Sequence, residues 1–128
     1  MPINSRAKGA RAERALSGFL QETLGWTARR TAQRMGKSGD ASDVVVEEMP
    51  ALHIECKMVE RLNLEKAIEQ AVRDCLDKLP VVCHRKVRGE WMLTVHLRNL
   101  RQLSEMVIAA EKRCMAPQGG AECPRGST

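Results

Sequence analysis

The sequence predicts an α/β layered domain, a mixed sheet containing an antiparallel hairpin and flanked by helices, in the order α-β-β-β-α-β-β-α. Three observations carry this. Apolar residues keep a helical period in three segments, β-branched or alternating runs lie between them, and Gly/Pro clusters punctuate the boundaries. Helices interleaved with strands on a chain of 128 residues pack as one layered domain.

The first helix is expected over Ser5 to Leu24. Ala12, Leu16, Phe19, Leu20 and Leu24 form one apolar stripe, Ser5 is a plausible N-cap and Gly25 a C-terminal stop. Trp26 to Gln33 reads as a short strand with basic outward positions, and Arg34 to Ala41, with Gly36, Ser38, Gly39 and Asp40, as a loop. Asp43–Glu47 is rich in valine, and Leu52–Met58 alternates; Glu48 to Ala51, with Pro50, turns between them. A helix from Asn63 to Leu79 follows, with Asn63 as N-cap and Pro80 as its stop. Val81 to Lys86 and Trp91 to Leu97 form a second hairpin closed by Val87 to Glu90, and Leu100 to Cys114 a third helix. Pro117, Gly119, Gly120, Pro124 and Gly126 break any pattern beyond it. The domain is therefore set at 1–114, with 115–128 as a disordered tail.

Composition narrows the function. Aromatics are 2% of the chain (Phe19, Trp26, Trp91), so the core is aliphatic and base stacking is a poor way to hold nucleic acid. The net charge is +5, and the segment up to Lys37 holds eight basic residues against Glu13 and Glu22. Seven of the eight, namely Arg6, Lys8, Arg11, Arg29, Arg30, Arg34 and Lys37, are candidate contacts to a DNA backbone; the alternative is a solvated helix face. Five cysteines without a C-x-x-C pair indicate neither a disulfide framework nor a zinc knuckle, and suit reduced thiols. No segment reads as a signal peptide or a membrane span, so a soluble, cytoplasmic protein is expected.

The chemistry is expected on the first hairpin. In Leu52–Met58, Ile54, Cys56 and Met58 share one face, while His53, Glu55 and Lys57 share the other. A turn centred near Met49 and Pro50 pairs residues whose numbers sum to about 98, which sets Asp43 opposite Glu55. Two opposed carboxylates repel unless a cation or proton lies between them. Hard oxygen donors suit Mg²⁺, with Mn²⁺ as a substitute, and such a cation supports phosphodiester hydrolysis. The bland alternative is an exposed Glu-x-Lys pair on a strand.

Ser42-Asp-Val-Val-Val followed by His53-Ile-Glu-Cys-Lys57 resembles the PD-(D/E)xK nuclease motif. The helix-first order and the opening Lys8-Gly-Ala-Arg-Ala-Glu13 resemble the Holliday-junction resolvases and small phage-encoded relatives. The resemblance covers roughly Ser5 to Leu97 and implies a restriction-endonuclease-like core. It implies Asp43 and Glu55 as metal ligands, the Cys56 backbone carbonyl and Glu13 as further ligands, and Lys57 and Gln70 as catalytic partners. Ser42 stands where the motif often has proline. The implied activity is a Mg²⁺-dependent endodeoxyribonuclease on branched DNA, working as a homodimer because a four-way junction needs two matched cuts. Nicking or restriction-like cleavage of duplex DNA is the alternative, and a catalytically silent DNA-binding module the rival from another class. Retention of Asp43, Glu55 and Lys57 argues against the silent module.

Several neighbours carry open readings. Glu13, between Arg11 and Arg14, is otherwise a salt-bridged surface acid; Gln70 is otherwise a solvated helix residue. Asp40 competes with Asp43 as the ligand. His53, on the Glu55 face, is read as a structural strand-edge histidine with phosphate contact as the alternative, and His84, with Arg85, Lys86 and Arg88, as part of a DNA-facing edge.

Overall fold

The computed structural model describes residues 5–31 and 42–114. The expected loop over Arg34 to Ala41, with Asp40, and the expected tail over 115–128 lie outside the described residues. The first helix, α1 (Ser5–Phe19), runs into a π-helical turn, Leu20–Leu24, and Gly25 caps it at φ 73°. The left-handed conformation of Gly25 turns the Trp26 N–H back onto the Leu20 carbonyl at 3.3 Å, which is why glycine stands there. The space around a Cβ at this position is open. Gly25→Ala is therefore expected to cost about 1 kcal/mol through backbone strain alone. Urea unfolding would read this as a lower midpoint with an unchanged slope.

Five strands follow: β1 (Ala28–Arg30), β2 (Val44–Val46), β3 (Leu52–Met58), β4 (Leu79–Arg85) and β5 (Met92–Val95). They lie side by side in chain order in one mixed sheet. β3 and β4 are parallel and the other neighbours antiparallel. The parallel pair needs a crossover, and α2 (Leu64–Asp74) supplies it, capped at its start by Asn63 Oδ1 accepting from Lys66 N–H at 3.0 Å. A 3₁₀ turn, Leu97–Asn99, leads into α3 (Leu100–Cys114). The expected order of elements is therefore the order found.

Several boundaries differ: β1 starts at Ala28 rather than Trp26, β2 and β5 are shorter than the expected Asp43–Glu47 and Trp91–Leu97, β4 starts at Leu79 rather than Val81, and the second helix moves most. The second helix ends at Asp74, not at Leu79, and Leu76 takes a positive φ of 55°. Leu79 and Pro80 open β4 instead. The residue before a proline disfavours the helical region, so Leu79 cannot continue the helix. Leu79 N–H donates to the Ala51 carbonyl on the β3 side, which turns the ring nitrogen of Pro80 toward β5. The β5 register begins only at Val81, so the missing N–H costs no ladder bond. Val72, within α2, and Leu76, beyond its end, both expected on the buried stripe, are exposed.

Both faces of the sheet are covered. Ala12, Leu16 and Leu20, together with Leu103 and Ala110 of α3, pack with Val44, Val46, Ile54, Cys56, Val81 and Cys83 in the main core. On the opposite face Ala67, Ile68 and Ala71 of α2 cover Val82. His53, Glu55 and Lys57 belong to that second face. The three described cysteine side chains, Cys56, Cys75 and Cys83, are buried free thiols. No helix among the described residues is long and apolar enough to cross a membrane.

Candidate functional site

Val44 pairs with Ile54, the register in which Asp43 falls opposite Glu55. β2 begins only at Val44, so Asp43 is the last residue before the strand. This changes where its carboxylate goes. Backbone groups of successive strand residues point to alternate sides. Asp43 N–H donates to the Ile54 carbonyl at 2.8 Å, so Ile54 and Cys56 turn theirs toward β2. Opposite Cys56 there is no strand yet, and its N–H donates to Asp43 Oδ2 at 2.9 Å. Asp43 thus caps the edge of β3, where strict pairing predicts it squarely on the Glu55 face. By the same alternation the Cys56 carbonyl opens toward Asp43.

Glu55 is 4% exposed. Its Oε2 lies 3.8 Å from Lys57 Nζ, and its Oε1 lies 3.7 Å from His53 Nε2. Lys57 Nζ in turn donates to Gln70 Oε1 on α2 at 3.5 Å, so Gln70 joins the cluster the sequence assigned it to. Glu13 reaches from α1 and accepts from Arg30 Nε at 3.2 Å.

The electrostatics describe acids short of counter-charge. Burial pushes the Asp43 carboxyl up to about 7, with the charges of Glu55 and Glu13 adding to the rise; the Cys56 N–H and Lys57 oppose it. Burial also raises Glu13, against the pull of Arg30. Desolvation first, then Asp43, raises the Cys56 thiol, which stays protonated and is no nucleophile. Among the described residues no three His, Cys, Asp or Glu side chains make a ready cage for a metal ion. Two carboxylates and a backbone carbonyl nonetheless fit a hard, hydrated divalent cation, which takes one or two carboxylates and keeps several waters. Such a cation would meet the charge deficit at Asp43.

The basic candidates divide. Lys8, Arg11 and Arg29 are exposed, and Arg29 Nε lies 3.9 Å from Glu47. Arg30 is committed to Glu13. Arg6 lies on α1 with its side chain outside the described set, and Arg34 and Lys37 lie outside the described residues. A second basic edge sits at the site's end of the sheet. His84 is the β4 partner of Lys57, and Arg85, Lys86 and Arg88 follow it. His84 Nε2 pairs with Thr94 Oγ1 at 2.9 Å, and burial lowers its pKa, which keeps the ring neutral at pH 7.

Sequence reasoning missed two partners. Ser42 enters only as a departure from a motif, and His53 as a strand-edge structural histidine or a phosphate contact, whereas it is buried away from any phosphate. They meet at 3.1 Å, Ser42 Oγ to His53 Nδ1, eleven residues apart. The one available signal was the alternation that puts His53 on the Glu55 face.

Residues 4–116 match the family described as "Phage putative PDDEXK endonuclease". No curated protein matches the chain. Among solved structures, the chain is similar to Hjc of Archaeoglobus fulgidus, a Holliday junction resolvase from an archaeal hyperthermophile. The two are 26% identical with a TM-score of 0.51, over 66% of this chain and 74% of that one.

Proposed function

This chain belongs to the phage PDDEXK endonuclease family, and from that premise we propose that it is a Mg²⁺-dependent endodeoxyribonuclease that cuts branched DNA. The observation that carries the reading is the meeting of Asp43 with the β3 edge beside Glu55, with Lys57 held between Glu55 and Gln70. The preference for branches is supported by the likeness to the archaeal resolvase.

Asp43, Glu55 and the Cys56 carbonyl are the ligands in this reading, and Glu13 a further acid at the rim. When bound, a divalent cation supplies charge neutralisation at the phosphate and makes a water more acidic. Lys57, a third exposed, donates to a phosphate oxygen or to the attacking water as charge builds. Gln70 fixes the ammonium, and Arg30 limits the repulsion that Glu13 offers the incoming phosphate. Lys8, Arg11 and Arg29, together with the edge Arg85, Lys86 and Arg88, hold the flanking backbone; Arg6, Arg34 and Lys37 extend that set. A two-fold homodimer places two such sites on one junction. The setting is the cytoplasm of a bacterial or phage-infected cell.

Labelled four-way junction, linear duplex and single strand, each with Mg²⁺ or EDTA, test this. Paired cuts in the junction alone, abolished by EDTA, are expected. Equal cutting of all three would overturn the branch preference in favour of a general or duplex endonuclease. Binding without any cutting would leave a silent DNA-binding module.

A further inference from the structure

We propose that His53 is a positioning residue for the carboxylate pair, tying Glu55 to the segment that carries Asp43. This rests on the reading of Asp43 and Glu55 as cation ligands. His53 is 1% exposed and Ser42 0%. Nδ1 lies 3.1 Å from Ser42 Oγ, and Nε2 faces Glu55 Oε1 at 3.7 Å. Nε2 is buried and has no hydrogen-bond partner among the described residues. A buried donor left in that state is unfavourable, and a slight approach by Glu55 would satisfy it.

The tautomer follows from the partners. A neutral imidazole has one N–H and one lone pair. An ionised Glu55 only accepts, so a lone pair on Nε2 would be repelled. The arrangement attractive at both ends has Nε2–H toward Glu55, with Nδ1 accepting from the Ser42 hydroxyl. Glu55 is then held at both oxygens, Oε1 by His53 and Oε2 by Lys57. Ser42 is held in its turn, because Thr31 Oγ1 donates to the Ser42 carbonyl at 2.6 Å. The next residue is Asp43. One line of contacts therefore runs from Thr31, just after β1, through Ser42 and His53 to Glu55 and fixes the spacing of the two acids. A proline at position 42 would offer no hydroxyl to His53, so the departure from the motif and the buried histidine explain each other.

The test uses the full chain and Mn²⁺ alone, with binding read by calorimetry and junction cleavage measured separately. His53→Asn keeps a partner for Ser42 but falls short of Glu55. It is expected to lose about 10–100-fold in Mn²⁺ affinity and a similar factor in kcat, with KM for DNA unchanged. His53→Gln, whose amide nitrogen reaches toward Glu55, should recover most of both. A folded His53→Asn that binds Mn²⁺ like the wild type would overturn the proposal, as would equal loss in the Asn and Gln variants. Should His53→Asn not fold, Ser42→Ala decides: several-fold weaker Mn²⁺ binding supports the line of contacts, and unchanged binding refutes it. Asp43→Asn and Glu55→Gln run alongside as controls. If they too bind Mn²⁺ normally, the ligand reading itself has failed; if only they are impaired, His53 alone has been misassigned.

Discussion

Asp43→Asn is expected to lower the cleavage rate by about 10³-fold or more, roughly 4 kcal/mol of barrier, while DNA binding survives. The substitution is close to isosteric. Its side-chain oxygen still accepts from the Cys56 N–H, which now takes Asp43 Oδ2 at 2.9 Å, so the β3 edge stays capped. What is lost is one negative charge among the acids, and with it much of the attraction for a divalent cation. Phosphate binding loses nothing by this, because an acid facing the DNA backbone repels it; affinity measured in EDTA should hold or rise. Single-turnover cleavage and a gel-shift titration at matched salt would measure both halves. Cleavage within tenfold of the wild type would mean that Asp43 is not a ligand.

The same substitution should stabilise the metal-free protein at high pH. The Asp43 carboxyl is pushed up to about 7 from an ordinary 3.8, chiefly by burial and then by Glu55. A group raised in the folded state favours folding only in its protonated form. Its contribution is whole below pH 3.8 and is lost as pH climbs through 7. The gap of about three pH units caps the loss at about 4 kcal/mol, and relaxation around the charge brings the expected figure to about 2 kcal/mol. In EDTA at pH 8, Asp43→Asn should therefore unfold at a higher urea concentration than the wild type, and near pH 4 the advantage should vanish. Added Mg²⁺ should restore the wild type and leave the variant unmoved. A variant less stable than the wild type at pH 8 without metal would refute the account.

Much of the fold was legible because local rules and tertiary packing agree. The stripe Ala12, Leu16 and Leu20 is buried where its period placed it, and β3 and α3 have the expected ends. The second helix went wrong where two signals competed. Its apolar period runs on through Cys75, Leu76 and Leu79, but Leu76 takes a positive φ and Leu79 joins β4, so the helix ends at Asp74. The alternation of β3 grouped His53, Glu55 and Lys57, but it could not tell what covers that face; α2 packs there, and His53 and Glu55 are buried.

The sequence by itself determined the order of elements, the hairpin register and the residue types of the site. These depend on period, turn chemistry and motif, all of which act over a few residues. Only the tertiary structure decided that Asp43 spends one oxygen on the Cys56 N–H, that Glu13 is shared with Arg30, and that Ser42 meets His53. Each of these joins residues 11 to 17 positions apart through polar side-chain groups that burial leaves with few water partners. Such a demand arises only once the sheet and its two layers of helices have closed over them.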